Sequence, residues 1–184
     1  ADDWILSKFT PNYIGYFVDI GAADGHVISN TLKLERKGWK GIAIDAFPRN
    51  FDGRKNTVVV SAVLSSQKDV DVNFLIPLDY RDFSGIVDYL GTHKDILTNV
   101  NNKYVQLRTS VLPDILEQHE SPLTIDFLSI DIEGSEFEVL KTIPFNIYHI
   151  KYICVEHNFE EPKRTNIQNL LNKNGFFKEH EIQW

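Results

Sequence analysis

Four apolar runs in this chain end in acids or other polar groups. They are Phe17–Ile20, holding Asp19 with Asp24 after it; Gly41–Asp45; Thr124–Asp131, with Glu133 after it; and Lys151–Val155, followed by Glu156, His157 and Asn158. Packing alone does not call for an acid at each of these ends. In open α/β sheets, ligands bind outside the carboxyl ends of the strands, near the point where strand order reverses. Carboxylates gathered there can accept hydrogen bonds from hydroxyls, face a cationic ligand, or take up a proton. The same oxygens would suit a hard divalent cation. His157 adds an imidazole, the side chain most often used as a general base.

Between the first and second runs lies Gly21-Ala22-Ala23-Asp24-Gly25. Two glycines and two alanines let a backbone pass close to a ligand. A helix is expected directly after the turn, with its free N–H groups facing the same ligand. The loop is not a dinucleotide fingerprint, because the second and third glycines of G-x-G-x-x-G fall on Ala23 and His26. No P-loop lysine with its Ser or Thr is present either. Asp19 and Asp24 would repel a pyrophosphate. They suit a ligand carrying an ammonium and a sulfonium, as S-adenosylmethionine does. Asp45 follows the loop at about the spacing at which an acid accepts hydrogen bonds from ribose hydroxyls.

The elements that must position these residues follow from periodicity and turn chemistry. Residues 4–9 predict a short amphipathic helix, with Trp4, Ile5 and Phe9 on one face. Tyr16–Gly21, Lys40–Phe47 and Thr57–Leu64 predict strands, separated by a helix over 29–37 capped by Ser29 or Asn30 and closed by Gly38. Val70–Ile76 alternates like a half-exposed strand. Residues 77–103 predict an irregular insertion or lid, whose Tyr80, Arg81, Phe83, Ser84 and Tyr89 would suit a sugar-binding wall or simply pack on one another. Tyr104–Thr109 predicts a short strand and Val111–His119 a helix with Ser110 as cap. Thr124–Ile132 and Lys151–His157 predict two more strands, with helices over Ser135–Ile143 and Pro162–Asn174. Phe176–Trp184 predicts an edge strand. This tempo indicates a mostly parallel, Rossmann-like α/β sheet with helices on both faces.

The chain has 184 residues, 42% hydrophobic content and a mean hydropathy of −0.24, which suits one soluble domain spanning 1–184. No apolar run is long enough to span a membrane. The net charge of −7 argues against a nucleic-acid partner. One cysteine, Cys154, lies in a predicted buried strand; with no internal disulfide, a reducing, cytoplasmic compartment is expected. Methionine is absent, even at position 1, so the chain is expected to be trimmed or cut from a longer protein with further domains.

The segments FVDIGAADGHVISNTLKLERKGWKGIAIDAFP and IDFLSIDIEGSEFEVLKTI, followed by VEHN, resemble the FkbM family of class I S-adenosylmethionine-dependent methyltransferases. The pair D-I-G-A-x-D-G and S-I-D-I-E-G-S-E carries the likeness, which runs from Asp3 to Trp184 and is weak across 65–110. The resemblance implies the class I methyltransferase strand order and methylation of a hydroxyl on a sugar, glycan or polyketide-type product. It places Asp19, Gly21, Ala22, Asp24 and Gly25 around the methionine part of the cofactor and Asp45 on the ribose. Ala46 and Phe47 lie beside the adenine, with Ser61 and Ala62 at its far edge. The class I sheet closes with an antiparallel hairpin, of which only Phe176–Trp184 is found. Ala23 stands where many such enzymes have glycine, which calls for a negative φ there.

A hydroxyl is a poor nucleophile until its proton is accepted. Asp131, Glu156 and His157 are the candidate catalytic residues. A divalent metal such as Mg²⁺ on Asp131, Glu133, Glu156 or Asn158 is an uncommitted option, and those carboxylates could equally bind loop amides. Methylation of a protein or nucleic acid, a nucleotide-binding module without methyl transfer, and a non-catalytic partner domain remain alternatives. No amino-methyltransferase signature of the asparagine-proline-proline-aromatic kind is present.

Overall fold

The computed structural model describes residues 2–91, 97 and 100–181. Helix α1 (Asp2–Leu6) precedes strand β1 (Tyr16–Ile20), helix α2 (Leu32–Arg36), β2 (Lys40–Asp45) and β3 (Thr57–Ser61). β4 (Val63–Leu64), β5 (Asp71–Pro77), a 3₁₀ turn at Arg81–Phe83, β6 (Gly85–Ile86) and β7 (Asn102–Ser110) follow. The chain then runs through α3 (Leu112–Gln118), β8 (Thr124–Ile130), α4 (Glu136–Leu140), β9 (His149–Val155) and α5 (Lys163–Lys173).

Five strands form a parallel sheet in the order β3-β2-β1-β8-β9. The chain moves outward from β1 to β3, then returns to the other side of β1 with β8. The switch point expected to hold a ligand therefore lies between the ends of β1 and β8. Side chains alternate across the sheet, so successive residues of β1 feed two cores. Phe17 and Phe127 pack with Ile5, Leu34 and Trp39 on the face covered by α1 and α2. Val18, Ile20, Ile42, Ile44, Leu128 and Ile130 pack under α3, α4 and α5 through Leu112, Leu116, Val139, Leu140 and Ile167. Each large side chain withdrawn from water in this way contributes roughly 1.5–3 kcal/mol. No described helix is long and apolar enough to cross a membrane.

Several expectations are corrected. The third predicted strand, Thr57–Leu64, is not one strand: it breaks at Ala62, and Val63–Leu64 joins a second, four-stranded sheet ordered β4-β7-β5-β6. The strands expected over Val70–Ile76 and Tyr104–Thr109 are both present, and they pair with each other as an antiparallel ladder running from Asp71 opposite Arg108 to Pro77 opposite Asn102. Its connecting segment carries the 3₁₀ turn and β6; residues 92–96, 98 and 99 lie outside the described residues. The predicted final strand is absent over residues 176–181, which form no ladder, and its remaining residues 182–184 are outside the description. β9 is consequently a sheet edge, and Cys154 on it is exposed rather than buried.

Helix α2 begins at Leu32, not beside the glycine turn. Ser29 Oγ accepts the amides of Thr31 and Leu32, at 3.3 and 3.2 Å. The helix start is thus bound by the chain itself rather than offered to a ligand. Ser110 does not cap α3 either; the N-cap position is Val111, with no side-chain hydrogen bond.

Candidate functional site

The glycine turn is held from several sides. Gly21 and Ala22 donate to the Ile44 carbonyl at 2.8 and 3.2 Å, and Gly25 donates to the Arg49 carbonyl at 2.9 Å. Arg49 in turn donates to the Ala23 carbonyl at 2.9 Å. Ala23 adopts φ +38, so the expectation of a negative φ there is overturned; these flanking bonds hold the residue in a region alanine seldom occupies. Gly21 is required by a close approach. At φ +80, a Cβ on it would lie 1.5 Å from the Asp131 carbonyl oxygen. The turn after β1 thus touches the turn after β8 directly.

Asp45 at the end of β2 receives the Ala23 amide on one oxygen (3.0 Å) and the Phe47 amide on the other (2.7 Å). Burial raises its carboxyl above the ordinary value, against the pull of these amides. Asp19 is 2% exposed and takes a 2.7 Å hydrogen bond from the Thr31 hydroxyl; burial pushes its carboxyl up to about 6. Asp24 caps the turn, with Oδ1 accepting the Val27 and His26 amides at 2.9 Å and Oδ2 accepting Asn50 Nδ2. Those bonds, the Val27 amide foremost, lower its pKa.

A cleft of about 570 Å³ opens at the switch point. Gly21, Asp45, Ala46, Phe47, Ser61 and Ala62 line it together with Asp131. Asp19, Ala22, Asp24 and Gly25 do not line it; they shape the turn from behind. Phe47 stands edge-on to Phe74 with ring centres 6.0 Å apart, and the Ser61 hydroxyl donates to the Ala46 carbonyl at 2.9 Å. Arg81 and Ser84, two of the residues offered from the sequence as a wall, do line the opposite side of the cleft. Phe74, Ile76 and Ile86 of the inserted ladder, and Asp82 in its connection, were missed from the sequence. Alternation over 70–76 was the one signal that could have suggested the ladder residues. Tyr80 and Phe83 pack edge to face on each other, with centres 6.5 Å apart.

Beyond Gly21 the cleft runs into carboxylates. Asp131, Glu133 and Glu156 each place an oxygen within 4.8 Å of the others. Glu133 sits at φ +55, and Glu136 beneath it accepts the Ile132 and Gly134 amides at 3.1 and 2.8 Å while facing Lys163 Nζ at 3.5 Å. Burial is the main cause that raises all three carboxyls, and their mutual repulsion adds to it. Glu133 is pushed up to about 8. Such a group either shares protons or bridges a hard divalent cation.

His157 is turned elsewhere. Its Nδ1 accepts the Phe159 amide at 3.0 Å, and its Nε2 lies 3.1 Å from Glu181 Oε1. Both ring nitrogens are engaged, so the structure does not bring it to the carboxylates as a free base. Asn158 Nδ2 donates to Glu156 Oε2 at 3.2 Å.

The profile of the FkbM methyltransferase domain matches residues 19–178. This chain belongs to the FkbM methyltransferase family. No curated protein and no solved structure matches it. Membership makes it a methyltransferase and implies a methyl donor of the S-adenosylmethionine kind. The residues present fit such a donor. Phe47, Ala46 and Ala62 offer an apolar slot, Asp45 keeps lone pairs free on both oxygens, and Asp131 lines the same cleft.

Proposed function

We propose that this FkbM methyltransferase transfers a methyl group from S-adenosylmethionine to a hydroxyl of a sugar, glycan or related small molecule. The observation that carries the reading is the joining, in one cleft, of Gly21, Asp45, Ala46, Phe47, Ser61 and Ala62 with Asp131. In this reading Asp45 accepts the ribose hydroxyls, and Phe47 and Ala46 flank the adenine. Ser61 and Ala62 close its far edge, and Gly21 lies along the methionine part. Asp19, Ala22, Asp24 and Gly25 act by fixing the turn. When bound, the donor supplies an electrophilic methyl on a sulfonium, whose carbon–sulfur bond breaks as the acceptor oxygen bonds to that carbon.

The chain's own part is to align the acceptor and take its proton. Asp131 lines the cleft, and its carboxyl lies within 4.8 Å of that of Glu156. The pair titrates above the usual carboxylate range, which suits a base meant to hold and release a proton near neutral pH. The acceptor proton passes to this pair. Positioning supplies the rest of the rate gain, since aligned reactants can save several kcal/mol. A reducing, cytoplasmic setting fits the single exposed thiol of Cys154.

Two measurements test the reading. S-adenosylhomocysteine should raise the melting temperature and NAD should not. Labelled methyl from S-adenosylmethionine should appear on a hydroxyl in a panel of mono- and oligosaccharides. Cofactor binding with no labelling of any hydroxyl compound would overturn the assignment of acceptor.

A further inference from the structure

Behind the glycine turn lies a buried polar group that no part of the reaction uses directly. Arg54, in the connection between β2 and β3, has a side chain only 2% exposed. A guanidinium has five N–H donors in a fixed fork, and here every one is engaged. Nε donates to Glu35 Oε2. One terminal nitrogen donates to the Gly25 carbonyl at 2.8 Å and to Ser29 Oγ at 3.3 Å. The other donates to Thr31 Oγ1 at 3.1 Å and to Thr57 Oγ1 at 3.2 Å.

Each partner belongs to a different part of the cradle. Gly25 ends the turn, Ser29 and Thr31 precede α2, Glu35 lies within α2, and Thr57 opens β3. Glu35 completes the set by accepting the Asn56 amide at 2.8 Å and the Thr57 hydroxyl at 2.6 Å. The Thr31 hydroxyl that accepts from Arg54 donates its own hydrogen bond to Asp19. Arg54 also lies over the Phe51 ring, 5.5 Å from its centre, and that ring packs against Gly25 so closely that a Cβ there would come within 2.9 Å of it. One cation therefore links the residue behind β1, both ends of the segment 25–31 and the start of β3.

We infer that Arg54 is a positioning residue for the methyl donor: it holds the turn 21–31 in the shape that the donor meets, without touching it. The inference rests on the proposed function for the identity of the ligand, and on the hydrogen bonds alone for the shape of the turn. A burial serving only stability would be met as well by apolar side chains. A fork that reaches five groups on four segments fixes their relative positions, which lysine, with three donors on one atom, cannot reproduce.

The test uses the full chain with Arg54→Lys, which keeps a cation beside Glu35. Thr31→Val is the second variant; it cuts the link between Arg54 and Asp19 while leaving the Arg54–Glu35 pair in place. Titration with S-adenosylhomocysteine should show Kd raised about tenfold for Arg54→Lys and by a smaller factor for Thr31→Val. The KM for S-adenosylmethionine should rise with kcat within about twofold of the parent. In the ligand-free protein, hydrogen exchange should speed up over residues 21–31 while the amides of β8 stay as protected as before. Unchanged binding in both variants overturns the inference, as does exchange that quickens equally in β8, which marks a merely structural role. If the parent itself ignores S-adenosylhomocysteine while the variant loosens 21–31, the donor assignment fails and the role of Arg54 in shaping the turn stands.

Discussion

The two halves of the cleft treat buried charge in opposite ways. On the β1–β2 side, Arg54 and Glu35 are both buried, yet every donor of the cation has an acceptor and Glu35 is bound by an amide, a hydroxyl and the guanidinium. On the β8–β9 side, Asp131, Glu133 and Glu156 crowd together, with Lys163 lying 3.5 Å from Glu136 and 3.3 Å from Glu160. The first arrangement holds a shape. The second keeps protons on carboxyls that would otherwise lose them, leaving groups that change state easily. A cradle and a reactive edge thus meet at Gly21, whose missing side chain makes room for the Asp131 carbonyl.

Asp131→Asn should expose the contrast most sharply. On the proposed mechanism it removes the base, so methyl transfer should fall about 10²–10⁴-fold. Binding of S-adenosylhomocysteine should persist, and the melting temperature should hold or rise, because the amide removes a group whose ionised form burial disfavours. A variant that transfers methyl at the parental rate would remove Asp131 from the chemistry. Glu35→Ala does the reverse. It leaves the Arg54 charge buried and unpaired, and denaturant unfolding should show a loss of roughly 3–5 kcal/mol. A loss under about 1 kcal/mol would mean that the cradle is not held by this pair.

The third test uses pH. Glu133 holds its proton up to about pH 8 in the folded chain, against an ordinary value of 4.5. Between those limits the folded state binds more protons than the unfolded one, so stability falls as pH rises. The melting temperature of metal-free protein should therefore decline from about pH 5 to pH 8. Glu133→Gln should flatten that decline, and millimolar Mg²⁺ should offset it if the three carboxylates take up the ion. A slope unchanged in Glu133→Gln would show that the burden lies on other groups. The smallest effect belongs to the apolar slot: Phe47→Ala should weaken S-adenosylhomocysteine by about fivefold to tenfold, through lost contact area alone.

The strands that carry the site were legible because buried parallel strands read as continuous apolar runs, and the acids at their ends stood out against them. Asp45, Ala46, Phe47, Ser61, Ala62 and Asp131 accordingly meet in one cleft. Less visible was anything fixed by partners distant in sequence. Nothing local distinguishes Arg54 from the chain's other basic residues, since its meaning comes from Gly25, Thr31 and Glu35 folding around it. His157 looked like a base because it follows a strand, and only the placement of Phe159 and Glu181 shows its nitrogens engaged. The break at Ala62 was hidden for the opposite reason: its neighbours are all good strand formers, and the second sheet decides where the run is cut.

The contact between Gly21 and Asp131 also bears on how the molecule assembles. These residues stand roughly 110 positions apart, so their meeting waits on a long loop closing, a slow kind of event in folding. β1, β2 and β3 can pair among themselves beforehand, but the cleft lacks its Asp131 side until β8 docks against β1. A ligand that needs both walls therefore binds the finished fold and not its precursors, and its full binding energy acts to hold the last-formed pairing in place.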